Sequence, residues 1–183
     1  MRIIAGEYAS RRLETRKGRD TRPTLDKVRE AVFSSLGGYF DGGICLDLYA
    51  GSGAVGLEAL SRGMNQAVFC DNAKEAIEVI RKNISLLHVE DKSMVLPVKD
   101  TKALQILSDK GMQFDLVYLD PPYKKQHHDE VLRFLSDHHM MRVNGTVVIE
   151  SLKEESYQKS YDHIQYDRER IYGIMKITYL KAV

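Results

Sequence analysis

Asp120-Pro121-Pro122-Tyr123 is a tetrapeptide whose residue types can act together on a substrate. Proline fixes φ and carries no backbone N–H, so the two prolines stiffen the segment and leave its carbonyls as acceptors. An ionised Asp120 carboxylate only accepts hydrogen bonds. The Tyr123 ring offers a flat face. A planar ring bearing an exocyclic NH2 matches this set. The ring stacks on Tyr123, and its two N–H bonds meet Asp120 and the Pro121 carbonyl. Nucleobases have this form, and a stacked base gains ~1–3 kcal/mol. An exocyclic amine is a poor nucleophile because its lone pair is delocalised into the ring. Acceptors on both hydrogens favour the pyramidal nitrogen that attacks an activated methyl group in line, so the rate comes from positioning and charge complementarity. The bland alternative is a proline-stiffened turn that closes a strand.

A second constellation is Asp47-Leu48-Tyr49-Ala50-Gly51-Ser52-Gly53. Gly51 and Gly53 allow a sharp turn and a close approach to a ligand. With Gly56 they spell G-x-G-x-x-G, and Asp71 follows Gly51 by 20 residues. That is the spacing of an acid on a ribose diol. Alone, this region fits a nicotinamide enzyme and an S-adenosylmethionine enzyme equally. The two differ at the glycine loop, where one places a pyrophosphate and the other a methionine portion with an ammonium. Asp47, an anion just before the loop, suits the ammonium better; its bland role is a turn carboxylate. Asn72 adjoins Asp71. Asp100, at the end of a later apolar run, can accept from an adenine amine or simply cap the next helix.

These residues need elements to hold them. A helix is marked by Thr24, with Pro23 just before it, and stopped by Gly37-Gly38. Runs 44–50, 66–71, 93–100, 114–120 and 145–151 read as strands, nearly all apolar as in a sheet buried on both faces. Helical patterns lie between them at 50–63, 72–87, about 101–111 and 128–141. Pro97 places the third strand at an edge. Strand–helix alternation predicts an open parallel sheet with helices on both faces. Two further strand-like runs near 162–173 and 174–180 predict a closing hairpin and one antiparallel member. In such sheets ligands bind beyond the carboxyl ends of the strands, where Asp47, Asp71, Asp100 and Asp120 all fall.

The 183 residues are 43% hydrophobic and 29% charged, which excludes a disordered chain and predicts one domain, residues 1–183. No run approaches the ~20 apolar residues of a membrane helix, and no secretory signal is visible at the N-terminus. Cys45 and Cys70 match no zinc or redox spacing and read as buried thiols of a reducing, cytoplasmic protein. His127-His128 and His138-His139 lack a metal-site spacing and read as loop and helix-surface residues, so no metal is expected. Residues 1–30 hold nine Lys or Arg against five acids, a net +4 against −3 for the remainder. Residues 1–22 therefore read as a basic hairpin or arm, with Arg11 and Arg12 able to meet a polyanion. Lys124 and Lys125 are further candidates for phosphate contact.

The chain resembles the small bacterial methyltransferases of the RsmD type, which methylate the N2 amine of one guanine in 16S ribosomal RNA. MRIIAGEYASRRLET, DTRPTLDKVREAVFSSL, CLDLYAGSGAVGLEALSRG, DLVYLDPPY and RIYGIMKITYL carry the resemblance nearly end to end. It implies an α/β, Rossmann-like class I fold: a seven-stranded, mostly parallel sheet whose last strand is antiparallel. It implies S-adenosyl-L-methionine as methyl donor and 16S rRNA, in the small ribosomal subunit or its assembly intermediate, as substrate. It carries cofactor contacts onto Tyr49, Gly51, Gly53, Asp71 and Asp100. It carries catalysis onto Asp120, Pro121 and Tyr123, with Pro122 in the same segment, and it implies Arg22 and Thr24 near the active site. Family members often have Glu where Asp71 stands. Adenine-N6 methylation of DNA, a non-catalytic nucleic-acid-binding module and a nicotinamide dehydrogenase are the alternatives; the last leaves Asp-Pro-Pro-Tyr without a role.

Overall fold

Alternation along the strands builds the frame. In the computed structural model, which describes residues 1–16, 23–122 and 127–183, seven strands form one sheet in the order β3-β2-β1-β4-β5-β7-β6. They are β1 (Ile44–Asp47), β2 (Gln66–Cys70), β3 (Ser93–Leu96), β4 (Phe114–Leu119), β5 (Met141–Leu152), β6 (Ile164–Tyr172) and β7 (Met175–Ala182). The first five run parallel, and β7 lies antiparallel between β5 and β6. The helices are α1 (Pro23–Ser35), α2 (Ala54–Ser61), α3 (Lys74–Leu87), α4 (Asp100–Asp109) and α5 (His128–Asp137). This is the α/β fold that the alternating pattern and the resemblance predict. β3 sits at the edge and ends just before Pro97, as a residue without a ladder donor requires.

Successive strand residues face opposite layers. Cys45, Phe69, Leu116, Tyr118 and Val148 pack with α1, α2 and α3. Leu46, Val68, Val117, Leu119 and Ile149 pack with α4 and α5. Both faces are thus buried, which explains the continuous apolar runs. Several boundaries move. β1 stops at Asp47, not at residue 50, because the chain leaves the ladder to form the glycine turn. Pro23 lies inside α1, at its first position, where a missing N–H costs nothing. Met141 begins β5, and His138 and His139 form the turn before it.

The N-terminal segment folds back on itself, with an antiparallel bridge between Arg2 and Arg12. It is fastened by Glu58, which is fully buried on α2. The Glu58 carboxylate accepts the backbone N–H of Ile4 at 2.9 Å and of Ala5 at 3.1 Å. Arg62 donates to the same group at 2.7 Å, so the buried charge is paired. Asn83 of α3 accepts from Glu14 N–H at 2.7 Å and donates to the Ser52 carbonyl at 2.9 Å. The arm is thereby joined to the glycine turn, and Arg16 reaches the carboxyl end of the sheet.

Candidate active site

An open cleft of about 850 Å³ lies beyond the carboxyl ends of β1–β4, beside Glu150 of β5. One wall contains Tyr49, Gly51, Asp71, Asn72 and Asp100. Gly51 has φ +58, and a Cβ there would meet open space, so the backbone itself faces the cleft. Its N–H donates to Asp71 at 3.0 Å, and the other Asp71 oxygen accepts Ala73 N–H at 2.9 Å. Asp100 accepts Tyr49 O–H at 2.7 Å and Thr101 N–H at 2.8 Å. Each carboxylate is oriented by the chain and keeps lone pairs for a ligand. Gly56 does not face the cleft. A Cβ there would lie 2.4 Å from the Phe69 ring, so this glycine lets α2 close onto β2.

A smaller cavity of about 200 Å³ opens beside the cleft, over Asp47, Tyr118 and Glu150 and under the start of α1. Asp47 is 3% exposed and accepts Gly56 N–H at 3.1 Å. Burial pushes its carboxyl up to about 7; the Gly56 bond and nearby Arg29 pull the other way. Arg16, Leu25, Tyr49, Gly51, Asp120 and Glu150 line both spaces. The Tyr118 phenol donates to Glu150 at 3.0 Å, and burial raises both groups above their ordinary pKa values. Asp120, Pro121 and Pro122 form the lip of the cleft. The walls are rich in carboxylates, with Arg16 and Arg29 as counter-cations. Such a surface receives cations and N–H donors.

Residues 1–181 match the family described as Conserved hypothetical protein 95. The chain belongs to that family. The YlbH protein of Bacillus subtilis (strain 168) is 35% identical over 181 residues, which cover 99% of this chain and 98% of that protein. Ribosomal RNA small subunit methyltransferase D of Escherichia coli (strain K12) is 30% identical over 173 residues, 94% of this chain and 85% of that protein. The solved structure of yhhF from Escherichia coli superposes with a TM-score of 0.83 at 28% identity, covering 100% of this chain and 97% of that one. The family resemblance read from the motifs therefore stands for a member of Conserved hypothetical protein 95.

The cleft and the smaller cavity beside it together hold Asp47, Tyr49, Gly51, Asp71, Asn72, Asp100, Asp120, Pro121 and Pro122, with Asp47 in the smaller one. Gly53 lines neither; at φ +81 it caps α2 and packs on Phe69. Arg11 and Arg12 also lie off the cleft, with Arg11 donating to the Leu86 carbonyl at 2.9 Å. Arg22, the side chain of Thr24, Tyr123, Lys124 and Lys125 lie outside the described residues. One histidine expectation needs correction: His128 is buried at the start of α5, and burial lowers it to about 4. His127 is a loop residue, as expected, and lines the cleft, 3.6 Å from Asp100. Cys45 and Cys70 are buried free thiols. No helix among the described residues is long and apolar enough to cross a membrane. Sequence reasoning missed Arg29 and Glu150. Glu150 had a signal, because it closes an apolar run just as Asp47 and Asp120 close theirs.

Proposed function

We propose that this member of the family transfers a methyl group from S-adenosylmethionine to the exocyclic N2 amine of a guanine in 16S ribosomal RNA. The small ribosomal subunit or its assembly intermediate presents that guanine, which puts the reaction in the cytoplasm. The observation that carries this reading is the carboxylate-lined cleft that ends at Asp120-Pro121-Pro122. A pyrophosphate suits it poorly. The three glycine N–H groups of the turn and helix start are taken: Gly51 donates to Asp71, Gly53 to the Ala50 carbonyl and Gly56 to Asp47. A donor carrying an ammonium and a sulfonium suits it well. The name of the Escherichia coli relative supports the RNA substrate.

Asp71 would hold the ribose hydroxyls, Asp100 the adenine amine and Asp47 the ammonium. S-adenosylmethionine supplies an activated methyl group, so the reaction calls for no metal and no cysteine nucleophile. Asp120 accepts one N–H of the target amine, and the Pro121 carbonyl accepts the other. Together they turn the amine lone pair toward the methyl group. Tyr123 stacks on the base. The whole chain acts as one methyltransferase domain. Its first 22 residues grip phosphates through Arg11 and Arg12, with Arg22 and Thr24 nearer the base. The test is methyl transfer from labelled donor to small subunits lacking the modification, with the product mapped by mass. N2-methylguanine in 16S RNA is expected. N6-methyladenine in DNA, or no donor binding by calorimetry, would refute the reading.

A further inference from the structure

Glu150 has no part in the reaction just described, yet it stands beside the residue that does. Leu119 of β4 pairs in parallel register with Ile149 of β5. Asp120, the first residue past β4, and Glu150, still within β5, therefore lie side by side, about one strand spacing of ~4.8 Å apart. Alternation sends both toward the same layer as Tyr118 and Val148. Both line the cleft and the smaller cavity. Tyr118 donates to one Glu150 oxygen, Oε2, and so fixes the carboxylate against the sheet. A carboxylate has a second oxygen and further lone pairs with which to accept an N–H.

We propose that Glu150 selects guanine by accepting its N1–H while Asp120 accepts from the neighbouring 2-amine. This inference rests on the guanine-N2 reading and deepens it. Guanine presents two adjacent donors on that edge, N1–H and N2–H, so two acceptors from neighbouring strands match it. Adenine presents a bare N1 lone pair beside its 6-amine. An acceptor facing that lone pair repels it and is left without a partner in a partly buried site, which is how polar pockets reject analogues. The Asp-Pro-Pro segment holds an amine of either base; Glu150 supplies the discrimination. The Tyr118 hydrogen bond favours the ionised carboxylate and opposes the upward push of burial.

The test uses small subunits reconstituted with 16S RNA bearing guanine or 2,6-diaminopurine at the methylated position. The analogue keeps the 2-amine but makes N1 an acceptor. The full-length wild-type protein is expected to prefer guanine by ~10–100-fold in kcat/KM. Glu150→Ala and Glu150→Gln are expected to shrink that preference several-fold, with Gln, whose amide also donates, gaining most on the analogue. Donor affinity by calorimetry is expected to stay within about twofold for both, which shows that the cofactor side is intact. An unchanged guanine preference in both variants, with N2-methylguanine still the product, overturns the role of Glu150 alone. A large loss of donor affinity with the preference retained also overturns it, by assigning Glu150 to the methionine end. A wild-type product other than N2-methylguanine overturns the substrate reading beneath it, and the mapped base tells the two failures apart.

Discussion

The two halves of the cleft are held by different means. On the side proposed for the donor Asp47, Asp71 and Asp100 each accept a backbone N–H from the start of a neighbouring helix or turn: Gly56, Ala73 and Thr101. Those partners lie nine, two and one residues away. On the side proposed for the base the pieces are remote. Tyr118 and Glu150 meet across 32 residues, and Arg16, Leu25 and Arg29 arrive from the N-terminal arm and α1. The side proposed for the donor thus takes much of its order from local backbone geometry, with two longer contacts, Gly51 N–H to Asp71 and Tyr49 O–H to Asp100, across 20 and 51 residues, whereas the contacts named on the other side are all long-range. The difference predicts that each half can be damaged without the other.

Asp120→Ala gives the largest expected effect. Removing one transition-state contact should cost ~10²–10³-fold in methyl transfer, with donor binding by calorimetry within about twofold of wild type. A parallel loss of donor affinity would break the division between the halves. Asp71→Ala is expected to do the reverse. Loss of hydrogen bonds to a charged group weakens donor binding ~10–100-fold. Measured at saturating donor, transfer should largely recover.

Asp47 sharpens the comparison through pH. Its carboxyl rises from 3.8 to about 7 on burial, so below neutrality it is largely uncharged. Affinity for the cationic donor should therefore climb as pH rises from 6 to 8, by up to about tenfold per pH unit below that pKa. Asp47→Asn should flatten the profile. Stability runs the other way. The folded state holds this proton more tightly than the unfolded chain, so its contribution is complete below 3.8 and is lost as pH rises through about 7. Thermal melts of the free protein across that window check the sign. Tyr49→Phe gives the smallest effect. It removes one O–H donor from Asp100 and should weaken donor binding only ~2–10-fold, as read by calorimetry.

Much of the wall around Asp47, Asp71 and Asp100 was legible in the sequence because its acids and turns lie in short, contiguous segments. Asp47 to Gly56 and Cys70 to Ala73 each contain both the acid and the turn that aims it. The strands were legible for a related reason: a sheet covered on both faces demands unbroken apolar runs. The antiparallel insertion of β7 was foreshadowed by two consecutive strand-like runs. Gly53 read as a ligand-facing glycine, but it serves the helix start, since a motif does not state which of its glycines looks outward. His128 read as a surface residue, although α5 turns it inward beside Tyr157.

Local order, the acids at the strand ends and the stiff Asp-Pro-Pro lip came from the amino-acid sequence alone, because backbone geometry and hydrogen-bonding type act over a few residues. The side-by-side placement of Asp120 and Glu150 that follows from the Leu119–Ile149 register, the approach of Arg29 to Asp47 and the anchoring of the N-terminal arm on Glu58 were decided only by the tertiary structure. Strand order and register place distant residues side by side, and nothing in either segment by itself encodes its neighbour.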